Sequence, residues 1–149
     1  MRVLSALAAL AGLLGLTACA TTPEGDPGRG PTTQDGADCA VIAAVAKEHY
    51  RFNTTDNRPP PIRFEGDYAP RCDWGRYGLA FEAYDPDRPG DPRERVRWVS
   101  FARPAYDGRG AVVETGIMHG PLAGMGFECR VISGFAAWTV GECRNTWVS

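Results

Sequence analysis

The chain has 149 residues, with 16 basic and 18 acidic side chains and a formal net charge of −2. That balance excludes a strongly basic surface, so neither nucleic acid nor an anionic membrane surface is an attractive partner. The length fits one domain with a modest core, and 18 glycines with 12 prolines call for many turns.

Arg2 gives a positive start, and Val3 to Leu16 is an apolar run of Leu and Ala interrupted by Ser5 and two glycines. Such a run is too short to stay in a bilayer as a spanning helix and reads as an export signal, residues 1–18. It ends in Leu16-Thr17-Ala18-Cys19, which resembles the lipobox of bacterial lipoprotein signals. The resemblance implies cleavage before Cys19 and lipidation of that residue by palmitate-like chains. Two or three chains hold a protein on its membrane, since each buried methylene adds about 0.8 kcal/mol. Ala20 follows instead of Asp, which by the same resemblance favours the outer membrane, with the protein facing the periplasm. Loss of residues 1–18 removes Arg2 and leaves 15 basic against 18 acidic side chains, a net charge near −3.

Ala20 to Ala37 holds Thr, Pro, Gly and Asp but no large apolar residue, so residues 19–37 form a lipidated cysteine and a disordered tether. Its mean reach is about 20 to 25 Å. A single domain, 38–149, follows. It carries Cys39, Cys72, Cys129 and Cys143, an even number that reads as two disulfides in an exported chain. Of three pairings, Cys39–Cys72 with Cys129–Cys143 is favoured, because the second pair falls on what read as adjacent strands. Each closure is worth roughly 3 to 4 kcal/mol in the chain-entropy estimate. No C-x-x-C and no close His/Cys cluster is present along the chain, so no metal and no cofactor is expected.

Asp38 is placed to cap a helix running to about Phe52, with Ile42, Val45, His49 and Phe52 on one stripe. Asn53 to Arg58 and Pro59-Pro60-Pro61 end it. The spacing then predicts a weak extended piece at Ile62 to Phe64, a loop from Gly66 to Gly75 and a strand at Tyr77 to Tyr84. Asp85 to Pro92 reads as a long polar turn, and Arg95 to Arg103 as a strand. Asp107-Gly-Arg-Gly turns the chain into a strand at Ala111 to Met118. Gly120 to Gly126 reads as a connecting loop, Phe127 to Ser133 and Ala137 to Val148 as the last two strands. The expected fold class is α+β, one helix packed on an antiparallel meander of about five strands.

The second half carries Ser100, Pro104, Tyr106, Ala111, Val113, Gly120-Pro121-Leu122-x-Gly124-x-Gly126, Gly134, Trp138-x-Val140 and the ending Trp147-Val148-Ser149. This pattern resembles a group of small exported bacterial domains, over about a third of the chain, and brings no activity with it. His119 and Ala123 stand where those domains often carry cysteines. A helix followed by a curved sheet that ends in a W-x-V strand is also loosely similar to cystatin-like and NTF2-like domains, a likeness of fold only.

His119 beside the glycines is the most tempting reactive residue, since a loop histidine titrates near neutral pH and glycines let a ligand approach the backbone. It would need an acid such as Glu114 or Asp107. His49, on the apolar stripe, reads as a core histidine. Gly120 to Gly126 lacks the Lys-Ser/Thr of a phosphate loop. Ser100 and Ser133 have no nucleophile-elbow context. Asp85, Asp87 and Asp91 could attract calcium, but Arg88, Arg93 and Arg95 are interleaved. Trp74 and Trp98, with Trp138 and Trp147, could line a binding face, although tryptophans at strand spacing usually pack inward. The leading expectation is a non-enzymatic, membrane-anchored envelope lipoprotein that binds an envelope protein or polysaccharide, with His119, Trp74 and Trp98 as possible ligand contacts. The alternative is a small envelope hydrolase or lyase using His119.

Overall fold

A computed structural model of the chain describes residues 34–149, with side chains from residue 37 onward. The export signal, Cys19 and residues 20–33 of the expected tether lie outside the described residues. The fold is α+β: one long helix lies against a mixed sheet of six strands, and two disulfides join Cys39 to Cys72 and Cys129 to Cys143.

Helix α1 spans Gln34–Ala44 and continues as a π-helical turn, Val45–His49. Asp38 is therefore an interior residue, not the expected cap, and the helix takes in the end of the expected tether. Val41 to Ala46 are all buried, so the helix is covered all round and not on one stripe. The sheet covers one side. Tyr68, Leu79 and the 3-10 turn Trp74–Tyr77 cover the other, and Cys39–Cys72 ties that segment to the helix.

Strand β1, Ile62–Phe64, pairs parallel with β2, Trp98–Phe101, which departs from a purely antiparallel meander. The predicted strand at Tyr77 to Tyr84 does not form. Gly78, at φ +69°, closes the 3-10 turn, and Ala83 alone bridges to Ile62. Leu79 is buried in the core and Phe81 packs at its edge, so core burial outweighs strand propensity here. Part of the predicted polar turn folds as a one-turn helix α2, Pro92–Arg95. Asp91 accepts the Arg93 amide at its start, and Pro92 sits where no amide is needed.

The rest is a meander of β3, Ala105–Tyr106, β4, Gly110–Gly120, β5, Ala123–Ser133, and β6, Trp138–Val148, in the sheet order β1-β2-β4-β5-β6 with β3 beside β4. The predicted loop at Gly120 to Gly126 is instead a two-residue corner, Pro121-Leu122, with Leu122 at φ +57°. The strands run straight through Gly124 and Gly126. These glycines serve close approach: a Cβ on Gly126 would stand 1.9 Å from the Trp147 ring nitrogen, and one on Gly124 would stand 2.0 Å from the Met118 sulfur. Core residues alternate along β4 and β5, where Ala111, Val113, Ile117, Cys129 and Val131 face the helix.

Candidate functional site: an arginine-bearing groove

A groove of about 520 Å³ opens between the proline loop and α2. Its walls carry Arg58, the prolines 59–61, Tyr84, Arg95 and Arg97. The prolines fix one wall, because each ring locks its own φ and restricts the residue before it. Asp85, Asp91 and Glu94 also line it, yet each has local work: Asp85 accepts the Asp87 amide, Asp91 the Arg93 amide, and Glu94 pairs with Arg97 at 3.4 Å. Arg88 pairs with Glu82 at 3.1 Å. The Arg58 guanidinium gives only its Nε, to the Thr54 carbonyl, and the Arg95 guanidinium makes no hydrogen bond or ion pair among the described residues. The uncommitted charged donors of the groove are therefore guanidinium groups, whose forks suit carboxylate or phosphate oxygens. Spacing does not reveal this groove: along the chain, Arg88 and Arg95 read only as charges that repel calcium.

The outer face of the sheet carries Trp98 and Trp147. Trp98 is half-buried there with the Arg63 guanidinium 4.3 Å over its ring. Trp147, 40% exposed, lies across Gly116, Gly124 and Gly126. Trp74 and Trp138 pack against the core, Trp74 with its ring 5.1 Å from Phe81. The structure thus does not bring Trp74 and Trp98 to one site. His119 is exposed on β4 at a register irregularity, and its side chain makes no hydrogen bond among the described residues. Asp107 is held at the other end of β4 by two bonds from Arg130, and Glu114 is five residues away along the strand, so neither acid serves His119. Arg130 holds the Asp107 carboxyl well below its usual range, at about 2.

Two buried clusters were not legible from spacing. Asp38, without exposed surface, accepts the Tyr68 hydroxyl at 2.9 Å and the Tyr106 hydroxyl at 2.6 Å, fastening the helix to the loop and to β3. Burial, followed by the bond to Asp38, raises the Tyr106 hydroxyl above its ordinary pKa. Tyr50 is likewise pushed up to about 12 by burial, against a bond to Thr115 at 3.1 Å. The second cluster joins His49 to the Cys129–Cys143 disulfide: the imidazole nitrogen and both sulfurs lie within 4.8 Å of one another. His49 is half-buried between Tyr50 and Phe127, ring centroids 4.7 and 4.4 Å away, and burial lowers its pKa. A His/Cys cluster absent along the chain is thus present in space.

No protein-family model, curated protein or solved structure matches the chain.

Proposed function

We propose that the protein is a non-enzymatic lipoprotein of the bacterial envelope, anchored through Cys19, whose domain binds an anionic component of that envelope. The observation that carries the binding half of this reading is the groove between the proline loop and α2, with Arg58 and Arg95 holding uncommitted donors beside Tyr84. Export is supported by the pairing of all four cysteines that follow Cys19, since disulfides persist in oxidising compartments. A tether between lipid and domain would let the groove reach acidic groups on an envelope polymer without carrying the domain into the headgroups.

The test is crosslinking in intact cells, followed by recovery of the tagged full chain and of Arg58→Glu/Arg95→Glu beside it. The parent is expected to retain an acidic envelope polymer that the double variant loses, with both chains equally protease-resistant. Equal recovery by the two chains, or recovery of none by the parent, overturns the reading. Turnover of an envelope substrate that is abolished by His119→Ala would favour the hydrolase or lyase instead.

A further inference from the structure

Cys129 and Cys143 are register partners on β5 and β6, so their side chains leave the same face of the sheet toward the helix. The π-helical turn ends there and sets His49 against them. Neither imidazole nitrogen has a hydrogen-bond partner among the described residues; His49 has only ring neighbours. A half-buried imidazole with free nitrogens beside two sulfurs, under the rings of Tyr50 and Phe127, lacks only thiolates to be a ligand set. We propose that, once a dithiol reductant opens Cys129–Cys143, these two thiolates and the His49 imidazole form a three-ligand site for a thiophilic cation such as zinc.

The chemistry balances. The reductant supplies two electrons and leaves as its own disulfide; Cys129 and Cys143 become thiols, and each gives up its proton on binding, so two protons are released per zinc. The geometry fits with small movements: bonds of about 2.3 Å to sulfur and 2.0–2.1 Å to nitrogen put tetrahedral donors about 3.5 to 3.8 Å apart. Opening the disulfide lets the sulfurs part from bonding distance toward that spacing, and the imidazole already lies within 4.8 Å of both. The fourth position is left to solvent. Oxidised, the pair has no thiolate to offer, so the site exists in one redox state only.

The test uses the full chain with Cys19→Ala, reduced by a phosphine that is then removed anaerobically, and titrated with cobalt(II). Thiolate-to-cobalt charge-transfer absorption is expected to saturate near one equivalent and to vanish when the protein is reoxidised. Zinc should shield Cys129 and Cys143, but not Cys39 and Cys72, from alkylation as mapped by mass spectrometry. His49→Ala should weaken binding by more than about tenfold, since even the outer partners of a ligand are worth that much. Because Cys129→Ser/Cys143→Ser risks misfolding, the alkylation map of the parent decides. No charge-transfer band, equal shielding of all four cysteines, or unchanged affinity in His49→Ala overturns the proposal.

Discussion

The segment from Tyr50 to Arg97 and the meander from Gly110 to Val148 are held by opposite means. In the meander, three strands of 11 residues bond to one another along their length, so support is spread over many backbone contacts. The earlier segment offers one strand of three residues, a single bridge and short turns. It is fastened by a few distant links instead: the Cys39–Cys72 bond, Tyr68 on Asp38, the Arg103 guanidinium 4.7 Å over Tyr68, and the rings of Phe52, Trp74 and Phe81. Where links are few, each loss should be large. The groove lies at the sparsely paired end, which is where binding loops on a rigid scaffold are ordinarily found.

The sharpest way to break this contrast is to remove each disulfide. Cys39→Ser/Cys72→Ser opens the longer closure and should cost about 4 kcal/mol, against about 3 kcal/mol for Cys129→Ser/Cys143→Ser. Urea midpoints of the two variants give the order, and the reverse order would undo the comparison. Next, Asp38→Ala removes the carboxylate that accepts both the Tyr68 and the Tyr106 hydroxyls, at a cost of about 2 to 3 kcal/mol. Limited proteolysis should then cut first between residues 65 and 84; uniform resistance would show that Asp38 is not the fastening.

In the meander the expected effects are smaller. Gly126→Ala pushes a methyl into the Trp147 indole and should cost about 1 to 2 kcal/mol by overpacking. In a Trp147→Ala background the same change should be nearly neutral, and a cycle with no coupling would remove the glycine bed from the account. Smallest is the exposed Asp107–Arg130 pair. The folded carboxyl titrates at about 2, below its ordinary 3.8, so its support is complete above pH 3.8 and is lost as pH falls toward 2. Asp107→Asn should flatten that part of the acid unfolding profile, as read by circular dichroism, and leave stability at pH 7 less sensitive to salt.

The same division sets what could be read from the residues alone. The meander was legible because alternation along β4 and the turn at Asp107 to Gly110 are local signals, and both disulfides were paired as the structure has them. Gly120 to Gly126 misled because glycine is ambiguous: it marks a turn when isolated, but here it makes room for Trp147 and Met118, residues distant in sequence or across the hairpin. Tyr77 to Tyr84 has strand-like alternation, yet Leu79 is buried in the core and Phe81 meets the rings of Phe52, Trp74 and Phe101, neighbours that only the fold brings together. Asp38 read as a cap because its acceptors' true donors, Tyr68 and Tyr106, lie 30 and 68 residues away. The groove and the His49 cluster were hidden for the same reason, since each is assembled by chain reversals that local spacing does not record.

The proposal at the centre of this reading is that lipid at Cys19 holds an oxidised domain in the envelope. It is tested most directly by growing cells on a clickable palmitate analogue and fractionating the parent and Cys19→Ala chains without reduction. The parent should carry label in the membrane fraction, with Cys39, Cys72, Cys129 and Cys143 refractory to alkylation, and the variant should carry none. An unlabelled parent, or one whose four thiols alkylate freely, would contradict the account.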